Sequence, residues 1–437
     1  MDTSLTAGTG RLKITPPFDC EMSGFVARKG TCRGVHDDLY ARALVLSDGR
    51  RKIALVNTDL IGIDSHLLAL VRQEVVKLTD LSPDSLILAA THTHSGPAVL
   101  TDAYLGVTNP NYLAILVKNI AGAIYLANQS LEPVQVRVGS SECRSVAKNR
   151  LKEASLIDPQ VLVVRIDGAK GVKALLVNYA CHPVVLGPDN LLISGDYPFY
   201  LTDTLEQIYP EAQVMFFNGA TGDLNEGHKT EDSIKGGINA KRTFTEAGRI
   251  GRILAGEALR ASETATPISK TSLKFSSRSI EVPLETLSTP DGYRKEISQW
   301  RELSNRLQSK QASFGEYHQA DLWSDWAKRM ADLAEAGRLN QSLTTEIASL
   351  TIGETELITL PGEFFHEFGL VIKAARAPRQ VFVMGYSNGD IGYVAPEIFY
   401  EESCYEVTDS FRYYGFPARL AKGTGEKIVA EVLAMLG

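Results

Sequence analysis

The chain has 437 residues, of which 44% are hydrophobic and 22% are charged, and its formal net charge is -7. These values are typical of a globular protein that can bury a large core. The acidic balance without a dominant basic patch argues against nucleic acid as a partner. No basic run lies beside an amphipathic stretch, which argues against an electrostatic membrane anchor.

The N-terminal segment and the cysteines indicate the cellular location of the protein. Residues 1–17 contain no charged region followed by an apolar one, so they do not form a secretory signal. The most apolar stretch, residues 174–186, is shorter than the about 20 residues that a transmembrane helix needs, and we expect no transmembrane segment. Five widely spaced cysteines, an odd number, favour reduced thiols. We therefore expect a cytoplasmic protein.

Strand and helix patterns alternate along the first part of the chain. The apolar runs 41–46 and 52–57 flank a turn sequence that contains Asp48 and Gly49, which predicts a β-hairpin. Asp64 or Ser65 can cap the helix that follows. The pattern then predicts strands at 86–90, 161–166, 174–179 and 214–217 and helices at 112–127 and 245–261.

The composition changes between about residues 292 and 343, where Lys, Arg, Glu and Gln become frequent and all three tryptophans occur. This segment predicts a helical hairpin inserted into the domain. The preferred interpretation is a solvated helical layer with aromatic anchors. The alternative is a lid or a substrate-selecting insertion.

The C-terminal part returns to alternating strands and helices. Two strands within 349–360 lead into Pro361-Gly362-Glu363 and a helix, and a further strand at 381–384 precedes a loop that carries Tyr393. The chain ends in an amphipathic helix at 421–436. The sequence therefore predicts an α/β protein with mixed β-sheets flanked by helical layers, which forms a single domain over residues 1–437.

Potential metal ligands occur at the ends of several predicted strands. His92 and His94 follow one strand, and alternate residues of an extended segment face the same side, so both imidazoles can point into one site. His182 and Glu363 follow two other strands. Taken singly, each is more often a loop, core or helix-start residue. Together they lie where α/β sites form, and two histidines with one glutamate is a known catalytic zinc arrangement.

Besides an opening strand, six motifs in chain order resemble the neutral (non-lysosomal) ceramidase family, specifically its N-terminal catalytic domain. The most specific is Thr-His-Thr-His-Ser-Gly-Pro at 91–97, and residues 8–17 resemble the family's opening strand. The other motifs are Asn149-Arg150, Cys181-His182-Pro183, Phe-Asn-Gly-Ala-Thr-Gly-Asp at 217–223, Leu-Pro-Gly-Glu-Phe at 360–364 and the segment 386–394, which resembles the family's Gly-Tyr-Val loop, with Tyr405 where a second family tyrosine falls.

The resemblance implies a zinc site and three catalytic groups. The implied ligands of the Zn²⁺ ion are His92, His182, Glu363 and Tyr393. His94 would be the acid/base group, while Arg150 and Tyr405 would steady the substrate carbonyl and the developing oxyanion. Zinc lowers the pKa of bound water to about 7 and polarises a carbonyl, so this set is suited to hydrolysis. Asp196 and Asp223 are candidates either for contacts around the site or for simple turn residues.

The sequence also departs from the family. Mammalian-type members carry a serine, assigned as a nucleophile, where this chain has Asn225, so we expect attack by metal-bound water instead. We expect no C-terminal immunoglobulin-like domain and no secretion signal. The resemblance therefore supports the reaction class better than it supports ceramide as the substrate.

The leading hypothesis is a zinc-dependent hydrolase that cleaves the N-acyl (amide) bond of a small-molecule or lipid-like substrate. A second hypothesis is a metal-dependent hydrolase of an ester, lactone or glycan linkage, because one fold can host several substrates. A third is a non-catalytic binding protein on the same fold. Nickel or manganese could occupy similar ligands.

Overall fold

The computed structural model describes residues 5–152, 156–237, 241–269, 271–402 and 404–437. The prediction that the N-terminal segment is not a secretory signal rests partly on residues 1–4, which lie outside the described residues.

The described residues form strands and helices that alternate along the chain. The strands are β1 Thr6–Lys13, β2 Gly34–Val35, β3 Tyr40–Ser47, β4 Lys52–Thr58, β5 Leu86–Ala90, β6 Glu132–Pro133, β7 Gln135–Glu142, β8 Lys148–Asn149, β9 Gln160–Gly168, β10 Gly171–Tyr179, β11 Leu192–Ile193, β12 Gln213–Asn218, β13 Leu224–Asn225, β14 Thr266–Pro267, β15 Leu273–Pro283, β16 Ser342–Ile352, β17 Thr355–Thr359, β18 Glu363–Phe364, β19 Gln380–Met384 and β20 Tyr393–Val394. The helices are α1 Ser65–Leu78, α2 Pro110–Gln129, α3 Tyr197–Ile208, α4 Thr230–Lys235, α5 Phe244–Glu263, α6 Pro290–Ser309, α7 Phe314–Glu335, α8 His366–Arg376, α9 Tyr405–Thr408 and α10 Thr424–Leu436.

Three mixed sheets pack around one shared apolar core. Their strand orders are β5-β4-β3-β1-β6, β12-β10-β9-β7-β14 and β15-β16-β17-β19. Successive side chains of a strand point to opposite faces of its sheet, so alternate residues pack on different layers of the protein. In β3, Leu44 and Leu46 enter the core shared by all three sheets, whereas Ala43 and Val45 face the helices.

Each sheet has its outer face covered by helices. The first sheet packs against α1 and α2, the second against α3 and α5, and the third against α8 and α10. Helix α1 begins where the sequence predicts, because Asp64 accepts a hydrogen bond from Leu67 N at 2.7 Å. The predicted α/β architecture, with mixed sheets between helical layers, is confirmed.

Helices α6 and α7 occupy most of the tryptophan-containing segment and pack against each other. Tyr293 of α6 and Trp326 of α7 are buried in the small apolar cluster between them. The helices predicted for this segment are present. Whether the segment is an insertion in a single domain stays a prediction.

Buried asparagines fix the three sheets relative to one another. Asn57 of the first sheet donates from Nδ2 to the carbonyl of Phe216 in the second, at 2.6 Å. Asn178 of the second sheet donates to the carbonyl of Val383 in the third, at 2.7 Å. Each sheet also contains one parallel pair, β4 with β5, β10 with β12 and β17 with β19. The carboxyl ends of these pairs meet, so the loops after them share one region.

None of the described helices has the length and hydrophobicity needed to cross a membrane. All five cysteines are free, and four of them are buried. Despite the separation of the cysteines along the sequence, Cys20 and Cys32 are in contact, with their Sγ atoms 3.6 Å apart.

Candidate metal centre and active site

His92 lies two residues beyond β5, where the chain turns out of the first sheet. Its φ is +70°, a left-handed conformation that is costly for a residue with a side chain. His92 N donates to the carbonyl of Leu60 at 2.9 Å, and Nδ1 lies 2.5 Å from the carbonyl oxygen of Ile61. The buried imidazole therefore reaches the site through a strained turn, not through the extended alternation that the sequence suggests.

His182 follows β10, the longer strand of the parallel pair in the second sheet. Its backbone N donates to Leu224 O at 3.0 Å, and its Nδ1 lies 2.7 Å from Thr221 O. The segment after β12 thus contacts both the backbone and the imidazole of this histidine. The imidazole is fully buried, and its Nε2 points toward the carboxylate of Glu363.

Glu363 and Tyr393 are brought together by the backbone. Strands β18 and β20 form a short parallel ladder that pairs these two residues. Gly362 has a φ of +151°, and a Cβ atom there would lie 2.6 Å from Gly392 O, so this approach needs glycine. The ring of Tyr393 lies nearly parallel to that of His182, with centroids 6.3 Å apart.

His94 is held from the opposite side by the segment before β2. Its Nδ1 lies 3.1 Å from Gly24 O, and Arg28 donates from Nη2 to the His94 carbonyl at 2.6 Å. Gly24 has a φ of +106°, and a Cβ atom at this position would lie 2.4 Å from the His94 ring. The close packing fixes the ring orientation of His94.

The side chains of His92, His94, His182 and Glu363 converge on one point. Glu363 Oε2 lies 2.8 Å from His182 Nε2 and 3.3 Å from His92 Nε2. His94 Nε2 lies 3.1 Å from His92 Nε2. The ligand nitrogens of the three histidines all lie within 4.8 Å of one another. The structure therefore assembles the histidines and the glutamate that the sequence singles out.

The hydrogen bonds of the three imidazoles fit a bound cation. A backbone carbonyl can only accept, so each Nδ1 that faces one carries the proton, and in the neutral ring Nε2 then presents a lone pair. Lone pairs on His92 and His94 that meet at 3.1 Å repel unless a positive charge lies between them. Metal-ligating histidines characteristically donate their second ring N–H to such a carbonyl. Imidazole nitrogens with one carboxylate suit Zn²⁺.

Burial sets the protonation of these groups. It lowers the pKa of His182 to about 4 and holds the pKa of His94 well below its usual value. Burial opposes ionisation of Glu363, but His92 and His182 outweigh it and keep the pKa of Glu363 well below its usual range. The result is two neutral imidazoles and one carboxylate at neutral pH, which are the forms that bind a metal.

Arg150 and Tyr405 lie on the Tyr393 side of the site. Arg150 donates from Nε to Glu406 Oε1 at 3.0 Å, and its guanidinium carbon lies 5.3 Å from the centre of the Tyr393 ring. The ring of Tyr405 is 6.1 Å from that of Tyr393. All seven residues named from the sequence therefore lie around one centre, and their individual roles stay predictions.

A narrow cavity of about 60 Å³ opens from this centre. His92, His94 and Glu363 form its floor. The other residues that line it are Ser23, Gly24, Ile61, Leu100, Ala103, Leu105, Tyr393, Tyr405, Tyr413 and Tyr414. Pockets that hold drug-sized ligands are usually about 300–1,000 Å³. The cavity as it stands admits only a slender group.

Two aspartates that the sequence leaves open have structural partners. Asp223 accepts from His366 Nδ1 at 2.7 Å and from Asn149. Asp196 caps α3 and accepts from Tyr197 N at 2.6 Å. The carboxylates therefore hold backbone and neighbouring side chains in place, as the turn interpretation predicts.

The side chain of Asn225 stabilises the loop in which it lies through hydrogen bonds. Its Oδ1 accepts from Gly227 N at 2.7 Å and from His228 N, and its Nδ2 donates to His228 O at 2.7 Å. Its side chain is not among those that line the narrow cavity. The residue at the position of the family serine therefore acts as a buried turn-former.

We expect Asn225→Ala to lower stability and to leave turnover largely intact. The substitution removes three hydrogen bonds from a buried turn, and leaving such groups unpaired costs about 1–3 kcal/mol. Thermal unfolding measures the first effect and a turnover assay at a temperature where the variant is folded measures the second. Loss of turnover in a folded, metal-loaded variant would give this loop a catalytic role.

Two tyrosines around Glu363 escaped the sequence analysis. The Tyr414 hydroxyl forms a short hydrogen bond with Glu363 Oε1. The Tyr386 hydroxyl lies 3.4 Å from Glu363 Oε2, and its ring stacks on His92 with centroids 3.9 Å apart. Tyr386 lies inside the segment 386–394, whose resemblance drew attention to Tyr393 alone, whereas no motif marks Tyr414. Both residues fix the carboxylate that faces the imidazoles.

We expect Tyr414→Phe to weaken metal binding by about 10–100-fold, the usual cost of losing a group that orients a ligand. The ring contact with Phe416 is kept, so the fold should be unaffected. Competition with a chelator measures the metal affinity. Tyr400→Phe is a matched control, because it also removes a hydroxyl, one that donates to Leu420 O at 3.0 Å. Equal metal affinity in Tyr414→Phe and the wild type would contradict this role.

Comparisons with known proteins identify the family to which the chain is similar. A family model described as neutral/alkaline non-lysosomal ceramidase, N-terminal, matches residues 5–230. Neutral ceramidase of Pseudomonas aeruginosa is 31% identical over 216 residues, which are 44% of this chain and 32% of that protein. Neutral ceramidase of Mycobacterium tuberculosis is 25% identical over 301 residues, 60% of this chain and 46% of that protein. The matched regions thus span less than half of these relatives' own lengths.

Solved structures extend the similarity over the whole chain. The crystal structure of neutral ceramidase from Pseudomonas aeruginosa superposes with a TM-score of 0.77 at 21% identity, covering 100% of this chain and 74% of that one. A ceramidase complexed with C2 gives a TM-score of 0.74 at 20% identity, covering 99% and 75%. The fold predicted from the motifs is therefore confirmed.

Proposed function

Because the chain belongs to the neutral/alkaline non-lysosomal ceramidase family, we propose that it is a zinc-dependent hydrolase that cleaves the N-acyl bond of a lipid-like amide. The observation that carries this proposal is the convergence of the Nε2 atoms of His92 and His182 on the Glu363 carboxylate, with His94 Nε2 3.1 Å from His92 Nε2. Each of the three histidines has its Nδ1 on a backbone carbonyl. The cytoplasmic location expected from the sequence stays a prediction.

The metal would be held by His92, His182, Glu363 and Tyr393. A zinc ion bound there supplies two things, a water molecule whose pKa is lowered to about 7 and a polarised carbonyl. Tyr393 is the least usual of the four ligands. Burial raises the pKa of Tyr393 well above its usual value, while Arg150 opposes this shift and a dication favours the phenolate further.

Arg150 and Tyr405 would bind the carbonyl oxygen of the substrate. Glu406 and the face of the Tyr393 ring hold the guanidinium in place, so it needs no reorganisation when charge develops on the oxygen. Burial raises the pKa of Tyr405 well above its usual value, so its hydroxyl remains a donor at neutral pH. Losing one such donor typically costs about 10²–10³ in rate.

His94 would move the proton. Its Nε2 faces the centre and is free of a proton in the neutral ring, while Nδ1 is bonded to Gly24 O. Nε2 can accept a proton from the attacking water and then deliver it to the leaving nitrogen as the C–N bond breaks. The products are a carboxylic acid and a free amine.

A substrate panel after metal reconstitution tests the proposal. The protein is loaded with Zn²⁺ and assayed against N-acyl amides of varied chain length and against matched esters, lactones and glycans. We expect equal amounts of free acid and amine, which cease on chelation and return with Zn²⁺. Cleavage of only the other linkages would replace the amidase by another hydrolase. Binding of N-acyl amides without cleavage of any compound would indicate a binding protein.

A further inference from the structure

Six of the residues that line the narrow cavity come from two segments that lie far apart in sequence. The first rim segment, residues 100–108, supplies Leu100, Ala103 and Leu105, and the second rim segment, residues 405–416, supplies three tyrosines. They touch directly, because Tyr104 N donates to Tyr413 O at 2.7 Å. Apart from the short helix α9, neither segment belongs to a sheet or a long helix that would fix it.

Helix α7 binds the first rim segment through Arg329. Its Nη2 lies 2.7 Å from Asp102 Oδ1, and its Nη1 donates to the Asp102 carbonyl at 3.3 Å. Asp102 has a φ of +65°, a left-handed conformation that is uncommon for residues other than glycine. The side chain of the adjacent Tyr104 packs on the α6–α7 cluster.

Side chains of the same helix also form hydrogen bonds with the second rim segment. Gln319 donates from Nε2 to the hydroxyl of Tyr413 at 2.6 Å, and Trp326 donates from Nε1 to Phe416 O at 2.9 Å. Arg412 packs against the indole rings of the hairpin, with its guanidinium carbon 5.1 Å from the ring centre of Trp323 and 5.0 Å from that of Trp326, both on α7, and 5.5 Å from that of Trp300 on α6. Cation–π contacts of this kind add to the attachment.

We propose that α7 is a positioning element, which sets the width of the cavity through Arg329 and Gln319 and so selects the acyl groups that enter it. The selectivity part of this inference rests on the proposed function. Neither residue lines the cavity. Gln319 acts through Tyr413, which lines the cavity, and Arg329 acts through Asp102, the chain neighbour of the lining residue Ala103. Releasing either contact should let the walls separate and admit wider groups. The tryptophan-containing hairpin is then a substrate-selecting device as well as an aromatic-anchored layer.

The test compares Arg329→Gln and Gln319→Leu with the control Arg294→Gln. Arg294 lies on α6 and pairs within the hairpin, with Asp291 at 2.6 Å and with Glu335, away from the rim segments. The first readout is amide hydrogen exchange of residues 100–108 and 405–416, which needs no substrate. We expect exchange to become at least about threefold faster in the two variants, the effect of losing about one hydrogen bond, and unchanged in the control.

The second readout is the ratio of kcat/KM for a branched N-acyl amide to that for a linear one. We expect this ratio to rise at least about threefold in both variants, with zinc content unchanged, and Arg329→Lys to restore part of the wild-type ratio. Unchanged exchange would overturn the positioning role. Faster exchange with an unchanged ratio would overturn the selectivity role.

A failure of the proposed function is distinguishable from a failure of this inference. If the wild type cleaves no amide, the same branched-to-linear ratio is taken from dissociation constants measured by calorimetry. An altered ratio together with faster exchange would still support α7 as the selecting element. An unaltered ratio would overturn it.

Discussion

Replacing Glu363 by alanine is expected to remove the metal and the activity together. Glu363 is the only carboxylate among the four proposed ligands, and its Oε2 contacts the Nε2 atoms of both His182 and His92. Its loss removes the only carboxylate that balances the charge of a dication in this buried cluster. Metal affinity should therefore fall by more than the about 10–100-fold that the loss of an orienting neighbour costs. His92→Ala should behave in the same way.

The measurement is metal content per chain after dialysis, made together with turnover. Glu367→Ala and His66→Ala are suitable controls, because both remove the same side-chain types from exposed positions near the start of a helix. Both controls should bind about one zinc per chain and turn over like the wild type. A folded Glu363→Ala protein that keeps stoichiometric metal would leave the three histidines, whose nitrogens lie within 4.8 Å of one another, as the ligand set.

Replacing His94 by alanine is expected to abolish turnover and to spare the metal. General acid–base catalysis contributes about 10²–10⁴ in rate, and no second base in the described cavity wall stands in the place of His94. The metal should remain because His92, His182, Glu363 and Tyr393 do not depend on the His94 ring for their hydrogen bonds. Added imidazole should restore part of the activity if the vacated space admits it.

This experiment separates two roles that the geometry leaves close together. His94 Nε2 lies only 3.1 Å from His92 Nε2, so it is near enough to the centre to be a ligand. If His94→Ala loses zinc as fully as His92→Ala does, His94 belongs to the ligand set and the proton must move through another group. Retained zinc with normal turnover would remove His94 from the mechanism altogether.

Much of the site could be predicted because its residues follow strands. Strong apolar runs mark the strands, and the loops after parallel strands meet at one edge, so His92, His182 and Glu363 could be grouped before any coordinates. The reason for the convergence of His92 and His94 could not be predicted. A left-handed turn at a histidine has no sequence signal, because it is imposed by backbone bonds to Leu60 and by the packing around it.

Other parts of the molecule lack a readable pattern. Strand β15 is mostly exposed along its length, so its sequence shows little apolar alternation, and it is held by pairing with β16. Tyr414 contacts a residue 51 positions away in sequence and lies in an irregular segment. Cys20 and Cys32 meet through a loop whose course only the fold decides. In each case the contact joins residues that are distant in sequence, so the local sequence does not predict it.

The division of the metal centre between distant parts of the chain bears on how the protein is made. The matched family region ends at residue 230 and contains two of the proposed ligands, whereas Glu363 and Tyr393 are added by the later strands. A nascent chain that has emerged only through β12 carries His92 and His182 but no carboxylate to complete the centre. With the proposed ligand set, zinc would be bound only after the later strands have been made and paired, and it would not nucleate folding as it does in small metal domains.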